Sequence, residues 1–303
     1  MNVADIITTN RLMPDRDYEH LWGSIIVEQS IKDRLLRAAA LSLQLRTRLP
    51  FETTALHGLA LLYGPPGTGK TTLARGLAQQ LAPLTAKKKA RLIEVNPHGL
   101  MSAEHGQSQR RVTDLLTEHI PSIVDDHIPA VVLLDEVESM VVARSEASLA
   151  ANPADVHRAT DAVLTAIDAN AKALPHVLFV ATSNFTGAVD SAFLSRADIA
   201  IHVPAPNAAG VAAILRHTLG EMAEAFPKLA QLTVDHHLET VAKTLVGLDG
   251  RRIRKTVTEA MLGRMDTVID PGALTIDDLK SAASRVHTAE GTKATQGVKN
   301  GTH

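Results

Sequence analysis

Residues Gly64-Pro65-Pro66-Gly67-Thr68-Gly69-Lys70-Thr71 stand between an apolar run, Leu59–Tyr63, and a stretch with helical spacing over 72–81. This arrangement leaves the chain little choice: a strand ends, the backbone turns sharply through three glycines, and a helix starts beside a lysine. The glycines let successive backbone N–H groups point inward, and the helix adds the positive end of its dipole. The loop is therefore a concave anion site suited to a phosphate. Lys70 is expected to reach the β- and γ-oxygens of a nucleoside triphosphate, and Thr71 to hold Mg²⁺.

Further apolar runs at 91–95, Ala130–Leu134, 177–182 and 199–203 alternate with helix-compatible stretches, which predicts a parallel sheet covered on both faces. The run Ala130-Val131-Val132-Leu133-Leu134 has no polar alternation, as a strand buried on both sides requires. After Pro204-Ala205-Pro206-Asn207 the strand signals stop and helical periodicity takes over at 208–223, 237–245, 250–265 and 276–286. Asn207 is placed to cap the first of these helices, and Thr275 with Asp278 resembles a capping box. The expected fold class is α/β, a parallel sheet flanked by helices and followed by a small helical lid. The expected divisions are a lead segment 1–20, a large domain 21–205, a lid 206–287, and a disordered Gly-, Thr- and Lys-rich tail 288–303.

Composition narrows the chemistry. The chain has 303 residues and no cysteine, which removes thiolate catalysis, disulfides and zinc–sulfur sites. No histidine pair has the HExxH spacing of a helix-face zinc site. A net charge of −2 and 3% aromatic residues give little to attract or stack a polyanion, so no nucleic-acid partner is expected. No leader resembles a signal peptide and no apolar run is long enough to span a bilayer, so the expected address is cytoplasmic, with no membrane partner.

Three further sites carry chemistry. Asp135 and Glu136 end an apolar strand, which puts both carboxylates at the sheet edge where ligands bind. Asp135 would complete the metal site and Glu136 would polarise the attacking water, since positioning and charge stabilisation dominate phosphoryl transfer. Asn184 follows the next buried strand, where an amide could hold that water or simply occupy a turn. Arg196 precedes the last strand, and Arg251 follows Gly250 at a lid helix; each could meet transition-state or γ-phosphate charge, or make a surface ion pair. Trp22 and Tyr63 could line an adenine pocket or belong to the core.

Over roughly 21–257 the chain resembles the AAA+ ATPases, and within them the pachytene-checkpoint family that remodels HORMA-domain proteins. The resemblance is carried, in order, by Leu21-Trp22 with Ile25-Ile26, the GPPGTGKT loop, Glu94-Val95-Asn96, Asp135 through Ser139, the stretch DVHRATDAVLTAID at 155–168, Thr182-Ser183-Asn184, Arg196 through Ile199 and Gly250-Arg251. It implies ATP and Mg²⁺ as cofactors, with Thr71 and Asp135 as metal residues. It also puts Ile25, Thr72 and the whole of Gly64 to Thr71 beside the nucleotide, together with Asp135 and Arg251. Catalytic roles fall to Glu136, to Asn184 as sensor 1 and to Arg196 as a finger acting on a neighbouring subunit, while Arg251 becomes sensor 2.

The resemblance further implies a homo-hexameric ring that threads a HORMA-domain client. Only about twenty residues precede Trp22, where eukaryotic members begin with a recognition domain of roughly a hundred residues or somewhat less. The chain is in this respect similar to compact bacterial forms associated with anti-phage signalling of the CBASS type. In those, the ATPase strips an activating HORMA protein from a cGAS-like cyclic-nucleotide synthase. The pore loop departs from the eukaryotic pattern: Glu104 stands where an aromatic grips the client, leaving Leu100 and Met101 as the expected gripping residues. Two rivals stay open at this point, a nucleic-acid-directed AAA+ ATPase and a nucleotide-gated scaffold with little turnover.

Overall fold

The computed structural model describes residues 6–96, 107–137, 153–184 and 194–286. Its first compact unit comprises residues up to Pro65 and Gly69–Val203. Here six strands form one sheet: β1 (Ile7–Met13), β2 (Leu59–Tyr63), β3 (Ala90–Val95), β4 (Ala130–Leu134), β5 (Val177–Ser183) and β6 (Ile199–His202). Their spatial order is β1-β3-β4-β5-β2-β6. All pairs are parallel except β1, which runs antiparallel to β3.

The apolar runs lack alternation because each face of the sheet has its own cover. Ala130, Val132 and Leu134 face a cluster with Val112, Leu115, Val163 and Ile167, supplied by α3 (Gln107–Asp114), the turn after it, and α4 (Pro153–Ala173). Val131 and Leu133 face the opposite cluster with Leu35, Ala39, Leu73 and Leu77, from α1 (Gln29–Arg46) and α2 (Lys70–Leu81). Each such Val, Leu or Ile side chain, fully buried, contributes roughly 1.5–3 kcal/mol, so a polar residue in β4 has no favourable face. Glu94 of β3 is buried but paired, accepting from the Arg75 guanidinium of α2 at 2.8 Å, which ties that helix to the sheet.

Within 1–20, expected as a lead segment, the structure has a strand that the sequence reading did not anticipate. β1 is an edge strand whose exposed residues are polar apart from Leu12; Ile6 and Met13 anchor its ends in the two opposite clusters. The signal is weak because only those ends are buried.

The second unit comprises Pro204–His303 together with Pro66–Thr68. Among its described residues are α5 (Ala208–Ala223), α6 (Leu238–Thr244), α7 (Gly250–Met261) and α8 (276–286). They pack around Leu215, Leu219, Leu238, Val241, Ile253, Val257 and Leu279, all buried. Asn207 caps α5, its Oδ1 accepting from the Gly210 N–H at 2.9 Å. The helix expected over 250–265 stops at Met261 and a short one restarts at Met265–Ile269. Arg264 is extended there, and its guanidinium is held bidentately by Asp278 at 2.9 and 2.8 Å, which draws the chain out of the helical path. Among the described residues no helix is long and apolar enough to cross a membrane.

Candidate active site at the carboxyl edge of the sheet

β2 lies between β5 and β6, and β5 between β4 and β2, so the carboxyl ends of β4, β5 and β2 stand side by side. The loop after β2 opens at Gly64, whose φ is 147°; a Cβ there would lie 2.2 Å from the Val203 carbonyl oxygen. It closes at Gly69, φ 91°, against which the buried Ile25 side chain is packed; a Cβ on Gly69 would lie 2.6 Å from Ile25 Cδ1. Only glycine meets both the conformation and the space at these two positions. Gly69 leads directly into α2, so the N-terminus of a twelve-residue helix faces the loop.

Lys70 is buried, and its ammonium donates to the Gly64 and Pro65 carbonyl oxygens at 2.9 and 2.8 Å, which holds it across the loop. Thr71 Oγ1 donates to Asp135 Oδ1 at 2.8 Å. Thr72 follows in the first turn of α2.

The register pairing Leu134 with Ala181 brings the next two residues, Asp135 and Thr182, together. Thr182 Oγ1 donates to Asp135 Oδ1 at 2.5 Å and accepts the Glu136 backbone N–H at 2.9 Å. Glu136 has φ 51°, a left-handed conformation that costs a non-glycine residue about 1–3 kcal/mol and aims its exposed carboxylate away from the strand direction. Asn184 Nδ2 donates to Glu136 Oε1 at 3.3 Å. The expected metal residues, loop lysine, carboxylate and amide thus converge.

The donor set suits Mg²⁺. A hydroxyl and a carboxylate, both hard oxygen donors, meet within 2.8 Å beside the phosphate loop and leave positions for water and phosphate oxygens. The sequence reading quoted Thr182 only as part of the Thr182-Ser183-Asn184 motif and gave it no role of its own. Its one signal is a β-branched hydroxyl near the end of an otherwise apolar buried strand.

Arg196 does not join this group. It precedes β6, and two residues later Asp198 accepts the backbone N–H groups of His57 and Gly58, at 2.7 and 2.9 Å, just before β2 begins. That is the amino edge of the sheet, a strand length of roughly 15 Å from the loop after Tyr63. Arg196 donates Nε and Nη2 to the Asp168 carboxylate at 2.7 and 2.9 Å, with His57 Nε2 3.4 Å from the same group. These guanidinium bonds hold the Asp168 carboxyl below its usual range and raise Arg196 further. Asp198 also accepts from Ser42 Oγ of α1 at 3.0 Å. Buried Arg46 of the same helix donates to the Ala171, Leu174 and Val177 carbonyls, and desolvation lowers its pKa to about 10.

Arg251 lies in the second unit, exposed in the first turn of α7, which Asp249 caps through the Arg252 N–H. Trp22 and Tyr63 pack against the two opposite clusters, Tyr63 tilted on His202 at 5.3 Å. Leu100, Met101 and Glu104 lie outside the described residues.

A phosphate loop, a strand-end Asp-Glu pair and an amide on the neighbouring strand, all on one parallel sheet, define a AAA-type ATPase. Residues 60–205 match the ATPase family associated with various cellular activities (AAA). Across 270 residues the chain is 46% identical to CD-NTase-associated protein 6 of Pseudomonas aeruginosa, covering 89% of this chain and 88% of that protein. It is 33% identical over 290 residues to the pachytene checkpoint protein 2 homolog of Danio rerio, covering 87% and 68%. The chain belongs to this pachytene-checkpoint family of AAA+ ATPases. Its fold is that of a chain in the E. coli MS115-1 HORMA:CdnC:Trip13 complex, with TM-score 0.73 at 15% identity over 94% of this chain and 96% of that one. Similar agreement holds for C. elegans PCH-2, with TM-score 0.71 at 23% identity over 93% and 76%.

Proposed function

We propose that this protein hydrolyses ATP to ADP and phosphate and uses the cycle to pull apart a HORMA-domain protein, or its complex with a cGAS-like cyclic-nucleotide synthase, as a regulator of anti-phage signalling in the cytoplasm. The observation that carries the client assignment is the 46% identity across almost the whole of a CD-NTase-associated protein. The same fold occurs in a chain of a HORMA:CdnC:Trip13 complex, in keeping with this reading.

The loop from Gly64 to Thr71 and the α2 N-terminus would bind the phosphates, with Lys70 moving its donors from loop carbonyls to phosphate oxygens. Thr71 and Asp135 would hold Mg²⁺, which when bound neutralises charge on the β- and γ-phosphates. Glu136 would accept a hydrogen bond from the attacking water, and Asn184 would orient that water while steadying the Glu136 carboxylate. Arg251, at the exposed start of α7, is assigned to sensing the nucleotide from the lid.

Arg196 supports a ring. At the amino edge of its own sheet it is remote from its own Lys70, and we take its charge, paired with Asp168 in the single chain, to serve a neighbour in a head-to-tail homo-hexamer. Each chain then supplies the phosphate loop of one site and the finger of the next.

The reading is tested by mixing the protein with the HORMA-domain protein and the cyclic-nucleotide synthase and measuring cyclic-nucleotide output. ATP should lower that output for the wild type. The Glu136→Gln variant should hydrolyse ATP about 10²- to 10⁴-fold more slowly and leave the output high. Loss of output without ATP turnover would refute the coupling, and hydrolysis at the wild-type rate by Glu136→Gln would refute the assigned water-activating group.

A further inference from the structure

We infer that Thr182 is a positioning residue for hydrolysis, one hydroxyl that sets the metal-binding carboxylate and the water-activating carboxylate relative to each other. The inference rests on the reading of Glu136 as the group that activates water.

The argument starts from the capacity of a hydroxyl. Thr182 has a single proton, and donating it to Asp135 Oδ1 leaves only lone pairs for its second partner. That partner is a donor, the Glu136 backbone N–H. The two bonds are therefore directional and cannot exchange roles. Thr182 is 1% exposed, so no water replaces either partner. Its γ-methyl and its place in β5, paired through Leu62 with the strand that carries the phosphate loop, fix the hydroxyl in turn.

Each bond restrains a different part of the site. Asp135 Oδ1 accepts from Thr71 as well as from Thr182. When Thr71 turns its oxygen to a metal, Thr182 remains to keep the carboxylate in place. The second bond holds the peptide of Glu136, whose left-handed backbone re-aims the side chain from strand direction toward Asn184. Without that restraint, relaxation to extended backbone would swing the carboxylate off its line to the water. The loss would fall mainly on the hydrolytic step, because the Thr182 hydroxyl bonds no phosphate-loop residue directly and reaches the loop only through the Asp135 carboxylate that Thr71 also contacts, while the Lys70 contacts do not involve it.

The test uses Thr182→Val, which keeps the buried shape and removes both bonds, and Thr182→Ser, which keeps both bonds. Steady-state hydrolysis and binding of a fluorescent ATP analogue are measured for each, with Glu136→Gln alongside. Thr182→Val should lower kcat about 10- to 100-fold, the range found when a group orienting a metal ligand is lost. Its analogue Kd should stay within about threefold of wild type, and Thr182→Ser should recover most of the rate. A Thr182→Val rate near wild type overturns the inference. So does equal loss of rate, binding and melting temperature in both variants, which would mark a purely structural residue. If Glu136→Gln stalls while Thr182→Val turns over normally, only this inference fails; if Glu136→Gln turns over normally, the underlying reading fails with it.

Discussion

At Gly64 the backbone passes so close to the residue after β6 that a methyl group would overlap the Val203 carbonyl oxygen. Gly64→Ala should therefore cost about 1–3 kcal/mol in a denaturant titration, from left-handed strain alone, and more once the carbonyl is displaced. It should also weaken nucleotide binding, because Lys70 is anchored on the Gly64 carbonyl. An unchanged midpoint and unchanged affinity would refute this account. Gly64 could be picked out from the sequence because its motif is contiguous and every position in it has a local reason. The role of Thr182 could not be read there, since its partners Asp135 and Glu136 lie 47 and 46 residues away and only the β4–β5 register unites them. Arg196 was picked out, but its pairing with Asp168 was not, because nothing local couples it to a residue 28 positions earlier.

Among the elements, the strands buried on both faces were legible as unbroken apolar runs, whereas β1 was not, because an edge strand shows most of its side chains to water. The break between α7 and the short helix after it was hidden for a related reason. Helical periodicity continues through Gly263 and Arg264, and the ion pair to Asp278 that overrides it joins residues 14 apart. Asp278 also closes the capping box of α8, accepting the Thr275 N–H at 3.0 Å. The Arg264 guanidinium first, and these cap bonds after it, hold the Asp278 carboxyl below its usual range. A depressed carboxylate stabilises the fold above its unfolded pKa, about 3.9, and that contribution is lost as pH falls through the lower folded value. At pH 7, Asp278→Asn should melt about 2–4 °C below wild type, with the gap narrowing as the pH is taken below 4. A gap that persists undiminished in acid would exclude the ionised carboxylate as its source.

For the whole molecule, the decisive feature is that one sheet carries its phosphate loop and Arg196, the proposed finger, at opposite edges. A ring built from such chains has sites that no single chain completes. On the roles proposed above, Glu136→Gln should spoil a chain's own site and leave its finger sound, while Arg196→Ala should do the reverse. Each variant alone should be slow. Mixed at equal amounts they should release phosphate faster than either, because an Arg196→Ala site facing a Glu136→Gln neighbour has every part it needs. Absence of any gain on mixing would refute the intersubunit role of Arg196. In genetic terms, the proposed ring would make the junction between copies the unit on which an allele acts. On the proposed reading, a fingerless allele should be dominant over the sound copy seated beside it, and two alleles broken at opposite edges should complement each other in the same cell.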